Sequence, residues 1–116
     1  MPTPRSSQGD VVRVPFPYTD RDTRQHRPAL VVSRGAIGDR GSLLWVVMIT
    51  SAANRGWPGD VSLAEGYREV GLPVPSVIRT TKITTIEAGH ADRIGKLDAS
   101  VWKSVASALA EHLAFE

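Results

Sequence analysis

Leu43-Leu44-Trp45-Val46-Val47-Met48-Ile49-Thr50 is the stretch on which the fold turns. It is nearly all apolar, which predicts a central strand buried on both faces. The run is also far too short to span a bilayer as a helix. On its N-terminal side lies a loop holding Gly35, Gly38 and Gly41, preceded by a second strand, Ala29 to Ser33. Before that comes a charged, solvated loop, Tyr18 to His26, with Asp20, Arg21, Asp22 and Arg24 close together. Asp10 to Phe16 is rich in β-branched residues and is broken by Pro15 and Pro17, so it reads as a strand ending in a turn. Residues 1–8 form a loose polar lead-in to a single domain over 9–116.

On the C-terminal side, Asn54-Arg55-Gly56-Trp57-Pro58-Gly59 breaks the pattern, and Asp60 to Leu63 restores it as a short strand. A turn segment from Glu65 to Pro75 follows. Ser76 to Thr81 and Ile83 to Ile86 alternate as two more short strands, and His90 to Leu97 adds an extended piece. Asp98 is a good helix N-cap, and Ala99 to Ala114 lacks Gly and Pro. Val101, Trp102, Val105, Leu109 and Leu113 form one stripe at helical spacing, so that helix packs one face on the strands. Trp45 and Trp102 read as core residues. The whole is mainly β, of the all-β or α+β class: a small, partly open β-barrel with a C-terminal α-helix.

The 116 residues carry 14 Lys+Arg against 12 Asp+Glu and no Cys, which suits one globular domain in a reducing cytoplasm. Disulfides, thiol catalysis and Cys-ligated zinc are thereby excluded. A net charge of +2 is too small to imply nucleic acid by itself, but 11 of the 14 cations are Arg. Arg grips phosphate or carboxylate with a planar fork that Lys lacks; a genomic base bias gives the same count. The N-terminus has no apolar stretch behind it and resembles no signal peptide.

Most ligand motifs fail. Gly35, Gly38 and Gly41 have neither the dinucleotide spacing nor a following helix, and Gly95-Lys96 is followed by Leu97, so no phosphate loop forms. Asp20 and Asp22 resemble the start of a calcium loop, but Gln25 stands where Gly is required and Val31 where the closing Glu belongs. No metal site and no cofactor site is expected. His26, His90 and His112 are scattered.

One constellation remains. Gln25-His26-Arg27-Pro28 runs straight into a strand, and the central strand ends Ile49-Thr50-Ser51. Ends of neighbouring strands in a small barrel meet at one rim, so a cation, a hydroxyl and an imidazole can face one groove. RNA carries its own nucleophile, the 2′-OH, and a metal-free site can cleave it with few parts. Arg27 suits a phosphate clamp. Thr50 or Ser51 suits a donor to a phosphate oxygen, and His26, Asp22 and Asp20 are the available proton handlers. The bland alternatives are a structural ion pair for Arg27 and a plain strand end for Thr50.

The blocks Gly9-Asp10-Val11-Val12-Arg13-Val14-Pro15-Phe16, His26-Arg27-Pro28-Ala29-Leu30-Val31-Val32-Ser33 and Ile49-Thr50-Ser51 resemble, in order and spacing, the MazF/PemK (Kid) toxins, the toxin halves of type II toxin–antitoxin pairs. Asp60-Val61, Val77-Ile78-Arg79, Thr85-Ile86-Glu87 and the C-terminal helix fit as well, so the likeness covers roughly residues 8–114. The resemblance implies an SH3-like barrel of the MazF/Kid/CcdB type, a homodimer and a cytoplasmic mRNA interferase. Such an enzyme is a metal-independent, sequence-specific endoribonuclease that cuts single-stranded RNA to 2′,3′-cyclic phosphate and 5′-hydroxyl ends. It implies catalytic roles for Arg27 and Thr50, with His26 just before the Arg and an acidic residue near Asp22. Arg79 and Lys82 become phosphate contacts, beside Arg24 and Ser51. Several relatives carry an acid where Thr81 stands here, a departure that bears on base recognition and on the general base. Trp57 is either a base-stacking platform or a loop anchor. An antitoxin with an acidic, initially disordered segment is the implied partner.

Two rivals share this barrel: a non-enzymatic toxin that inhibits a protein target such as DNA gyrase, and a degenerate RNA- or antitoxin-binding module. The intact Arg27 and Thr50 argue for the enzyme, and Thr81 argues mildly for degeneracy.

Overall fold

Alternation across strands turns one sheet into two apolar layers. The computed structural model describes residues 6–15, 26–63 and 65–114. Its strands are β1 (Asp10–Pro15), β2 (His26–Val31), β3 (Leu43–Ser51), β4 (Asp60–Leu63), β5 (Ser76–Glu87) and β6 (Asp92–Lys96), followed by α1 (Ala99–Leu113). The sheet order is β4-β5-β3-β2-β1-β6, with each neighbouring pair antiparallel. β3 is central, as its composition predicts. Its Val47 and Ile49 join Val11, Leu30 and Ile78 in one layer, while Val46 and Met48 join Val12, Ala29 and Val31 in the other. Neighbours along a strand point to opposite faces, so a run that is apolar at every position needs cover on both.

The cover is incomplete at Trp45, which is 50% exposed and is not the core residue expected. α1 lies against β4 and β5, whereas Trp45 pairs with Thr85, on the far half of β5. Trp102 does pack on the helix-side layer, beside fully buried Val105 and partly buried Val101 and Leu109. Burying Val105 alone stabilises by about 1.5–3 kcal/mol. The stripe ends at Leu109: Leu113, the last helical residue, is 59% exposed, and Ala114 closes the helix in a left-handed conformation. The N-cap is the expected Asp98, whose carboxylate accepts from the Ser100 N–H at 3.3 Å and also from the Ser100 hydroxyl. Near the other end, Thr80 Oγ1 donates to the Gly59 carbonyl at 2.6 Å and lies 3.1 Å from His112 Nε2. With its proton so used, Thr80 accepts and His112 Nε2 donates.

Two register shifts curl the sheet into a half-barrel. Against β3, β5 passes from Ile83, opposite Val47, to Arg79, opposite Met48, leaving Thr80, Thr81 and Lys82 unmatched. β6 likewise skips Ile94 against Val11 and Val12. Such bulges bend a strand and raise its twist. The two short strands expected over 76–81 and 83–86 are therefore one bent strand, since no Gly or Pro breaks it. β2 also starts three residues earlier than expected, at His26 rather than Ala29.

The segment before β5 lies flush on β6. An added Cβ at Gly71 would stand 2.5 Å from the Ile94 carbonyl oxygen, and one at Gly95 would stand 2.4 Å from that of Val70. Glycine at both positions lets the two backbones touch. Val70 and Leu72 are thereby buried, and residues 71–74 are held as a wall beside the sheet.

Candidate functional site

The β2–β3 ladder ends at Ala29 opposite Met48. Carried one step on, its register sets Pro28 opposite Ile49; further steps set Arg27 opposite Thr50 and His26 opposite Ser51. Pro28 has no N–H to give a ladder, and β3 here pairs only on its other edge, Thr50 with Val77 and Ser51 with Ser76. The two strands part, and the gap is a cleft of about 500 Å³. Arg13, His26, Arg27 and Pro28 form one side, Ile49, Thr50 and Ser51 another, and the 71–74 wall, Ser76 and Ile94 complete it.

Among the described residues, the lining holds two Arg and one His and no carboxylate. Arg27, Thr50 and Ser51 are half-buried and His26 is exposed. Partial burial lowers the local dielectric and strengthens a charge-assisted hydrogen bond to an anion. Thr50 Oγ1 accepts from Asn54 Nδ2 at 2.6 Å. Ser51 Oγ accepts from the Ala53 N–H at 3.1 Å, and the Ala52 N–H donates to the Pro75 carbonyl at 2.9 Å. The hydroxyl pair thus sits at the start of a tight turn tied to the cleft wall. Among the described residues no group of three or more His, Asp or Glu side chains could hold a metal ion.

Arg27, Thr50, His26 and Ser51, singled out in the sequence, come together in this cleft. Asp22, Asp20 and Arg24 lie outside the described residues. Trp57 and Thr81 line a second, shallower hollow of about 490 Å³ with Arg55, Gly56 and Pro58. The Trp57 N–H donates to Asp60 Oδ2 at 2.9 Å, and the Lys82 ammonium lies 5.9 Å from the ring centre. Trp57 is therefore anchored and half-buried, yet borders an open hollow.

Arg79, expected at a phosphate, makes its contacts within the protein. Its side chain is 8% exposed and pairs with Asp60, Nε to Oδ1 at 3.2 Å and Nη2 to Oδ2 at 3.1 Å. It also donates to the Arg55 carbonyl at 2.6 Å and stacks 4.1 Å from the centre of Trp57. These contacts of Nε, Nη2 and the guanidinium plane hold the 55–60 loop to β5. Two groups, Arg13 in the lining and Asn54 bonded to Thr50, escaped the sequence reading. Arg13 is an exposed charge set between the buried Val12 and Val14, a signal that could have been used; Asn54 sat inside a breaker segment and gave none.

Three solved structures of similar shape share 20–24% sequence identity with this chain. A MazE–MazF structure from Deinococcus radiodurans superposes with a TM-score of 0.74 at 24% identity, covering 97% of this chain and 98% of that one. The Mycobacterium tuberculosis toxin MazF-mt6 gives 0.70 at 23%, over 92% and 98%. A mycobacterial endoribonuclease bound to its cognate antitoxin gives 0.72 at 20%, over 96% and 97%. These likenesses establish the curled half-barrel with its C-terminal helix. No curated protein sequence matches. Residues 7–113 match the sequence profile of the PemK-like, MazF-like toxins. With that match spanning nearly the whole chain, the protein belongs to the PemK-like, MazF-like toxins of type II toxin–antitoxin systems.

Proposed function

We propose that this toxin is a metal-independent, sequence-specific endoribonuclease, an mRNA interferase acting on single-stranded RNA in the cytoplasm. The observation that carries the reading is the β2–β3 register, which, extended past Ala29 and Met48, brings Arg27 and Thr50 to one cleft whose described lining carries two Arg and one His. A polyanion is welcome in such a cleft, and two cations flank it.

The reaction needs three tasks. The 2′-hydroxyl oxygen attacks phosphorus while a base takes its proton; the bond from phosphorus to the 5′-oxygen breaks; the departing oxygen takes a proton. The products are a 2′,3′-cyclic phosphate and a 5′-hydroxyl. Arg27 clamps the phosphate, because a guanidinium stays protonated at any working pH and its fork fits two phosphate oxygens. The Thr50 hydroxyl donates to an oxygen whose charge grows at the transition state, with Ser51 beside it. His26, exposed at the mouth, moves one proton, and Asp22 is the candidate for the other. Arg13 and Arg24 hold neighbouring phosphates. Trp57, Thr81 and Lys82, around the second hollow, receive a flanking base by stacking and edge contacts.

A MazE–MazF assembly and an endoribonuclease–antitoxin complex among the similar structures support an antitoxin partner. Its acidic, disordered segment would compete with RNA for the cleft, and the toxin would act as a homodimer. A gyrase inhibitor of the same barrel has no use for an Arg–Thr pair facing one cleft.

The test is cleavage of a long single-stranded RNA in EDTA, with the ends mapped. Wild type is expected to leave cyclic phosphate and 5′-hydroxyl ends. Arg27→Ala should lower the rate by at least about 100-fold, the usual cost of one transition-state donor. Arg27→Lys should recover only part, because an ammonium lacks the fork. No cleavage by wild type, or equal cleavage by Arg27→Ala, rejects the mechanism; loss of gyrase supercoiling activity would then select the rival.

A further inference from the structure

We infer that Asn54 is a positioning residue for the Thr50 hydroxyl, an inference that rests on the nuclease reading above. A hydroxyl has one proton to donate and two lone pairs to accept with. The Asn54 amide fills a lone pair of Thr50 Oγ1 at 2.6 Å, so the hydroxyl proton is directed elsewhere, and the open direction is the cleft that Thr50 lines. The contact does two things at once. It holds the β-branched side chain in one χ1 rotamer, and it polarises the O–H toward a bound phosphate oxygen.

Asn54 is itself held in place. Its N–H donates to the Ser51 carbonyl at 3.0 Å, and the intervening Ala53 and Ala52 N–H groups are bonded to Ser51 Oγ and to the Pro75 carbonyl. The turn from Ser51 to Asn54 therefore closes on the strand end that carries Thr50 and is pinned to the cleft wall. Asn54 lies on the surface and packs into no apolar layer, so its truncation should not disturb the fold.

The experiment compares wild type, Asn54→Ala and Asn54→Asp in three measurements: single-turnover cleavage of a short RNA, affinity for the same RNA with a 2′-deoxy sugar at the cut, and the three-bond couplings that report the Thr50 χ1 angle by NMR. Wild type should show a single Thr50 rotamer. Asn54→Ala should average it and lower the cleavage rate about three- to tenfold, the range of one neutral hydrogen bond. Affinity for the uncleavable RNA should stay within about twofold, well below one decade of binding energy. Asn54→Asp, which offers only an acceptor and turns the Thr50 proton away from the cleft, should be slower still. An Asn54→Ala variant with wild-type rate and rotamer overturns the assignment. So does an equal loss of rate, affinity and melting temperature, which marks a merely structural residue, or wild-type cleavage by Asn54→Asp. Failure of wild type itself to cleave rejects the nuclease reading and this role with it, whereas cleavage that ignores Asn54 rejects this role alone.

Discussion

Replacing Gly95 by alanine tests how tightly the cleft wall is fastened to the sheet. The added Cβ would lie 2.4, 2.6 and 2.8 Å from the carbonyl oxygen, carbonyl carbon and Cα of Val70. Ordinary carbon–oxygen contacts begin at about 3.3 Å, so the two backbones must separate by about 1 Å. No flexible side-chain end is available to yield. Separation also loosens Val70 and Leu72, each 4% exposed. Overpacking of this kind costs about 1–3 kcal/mol, and partial exposure of two apolar side chains moves the estimate to the upper end, about 3 kcal/mol. For a domain of this size that is a fall in Tm of roughly 12 °C, at about 4 °C per kcal/mol. Gly89→Ala is the matched control, since its Cβ meets nothing within 4 Å and its φ is not positive. It should stay within about 0.5 kcal/mol of wild type. Thermal unfolding followed by circular dichroism, with urea denaturation to check that the slope is unchanged, reads the difference. Gly95→Ala melting together with Gly89→Ala would refute the close approach of the 67–72 segment to β6, and with it the account of how the cleft wall is held.

Two further outcomes bear on groups outside the cleft. Arg79→Met should destabilise the domain by about 3–5 kcal/mol, because it strands the Asp60 carboxylate at a side chain only 11% exposed; a urea midpoint near the wild-type value would return Arg79 to the list of RNA contacts. Asp98 has its carboxyl held below the ordinary value of 3.8, chiefly by the Ser100 hydroxyl. A lowered folded-state pKa adds stability above pH 3.8 that is lost as pH falls through the folded value. Asp98→Ala should thus melt below wild type at neutral pH and converge with it in stronger acid, and a gap unchanged from pH 7 to pH 2 would remove the cap as its cause.

Local pattern predicted the parts of this fold that depend on local pattern. Leu43 to Thr50 becomes the centre of the sheet, and Asp98 caps the helix, because apolar content and cap chemistry act over a few residues. What failed is set by partners distant in sequence. Trp45 belongs by composition to the core, yet its exposure depends on where a helix more than fifty residues later comes to rest. Ser76 to Glu87 reads as two strands because alternation slips near Lys82; only pairing with β3 reveals the slip as a bulge. Arg79 looked like a surface cation because nothing in Val77-Ile78-Arg79 announces that Asp60 and Trp57 wait across the sheet. Arg13 was legible in principle, since a charge set between two valines of a strand must either face solvent or line a site.

The same distinction explains why the candidate site could be approached from the sequence but not assembled from it. Arg27 and Thr50 are separated by two strands and a glycine-rich loop, and neither belongs to a contiguous catalytic motif. Their proximity follows from one register, Ala29 opposite Met48, extended past the point where hydrogen bonding stops. Pro28 cannot donate there, so the sheet opens without losing a bond it would otherwise have made. That opening leaves the charged end of β2 facing the hydroxyl end of β3 without a ladder between them. A residue with an N–H in place of Pro28 would allow the ladder to run on and narrow the cleft, which is why Pro28, with no chemistry of its own, belongs to the site as much as the Arg beside it.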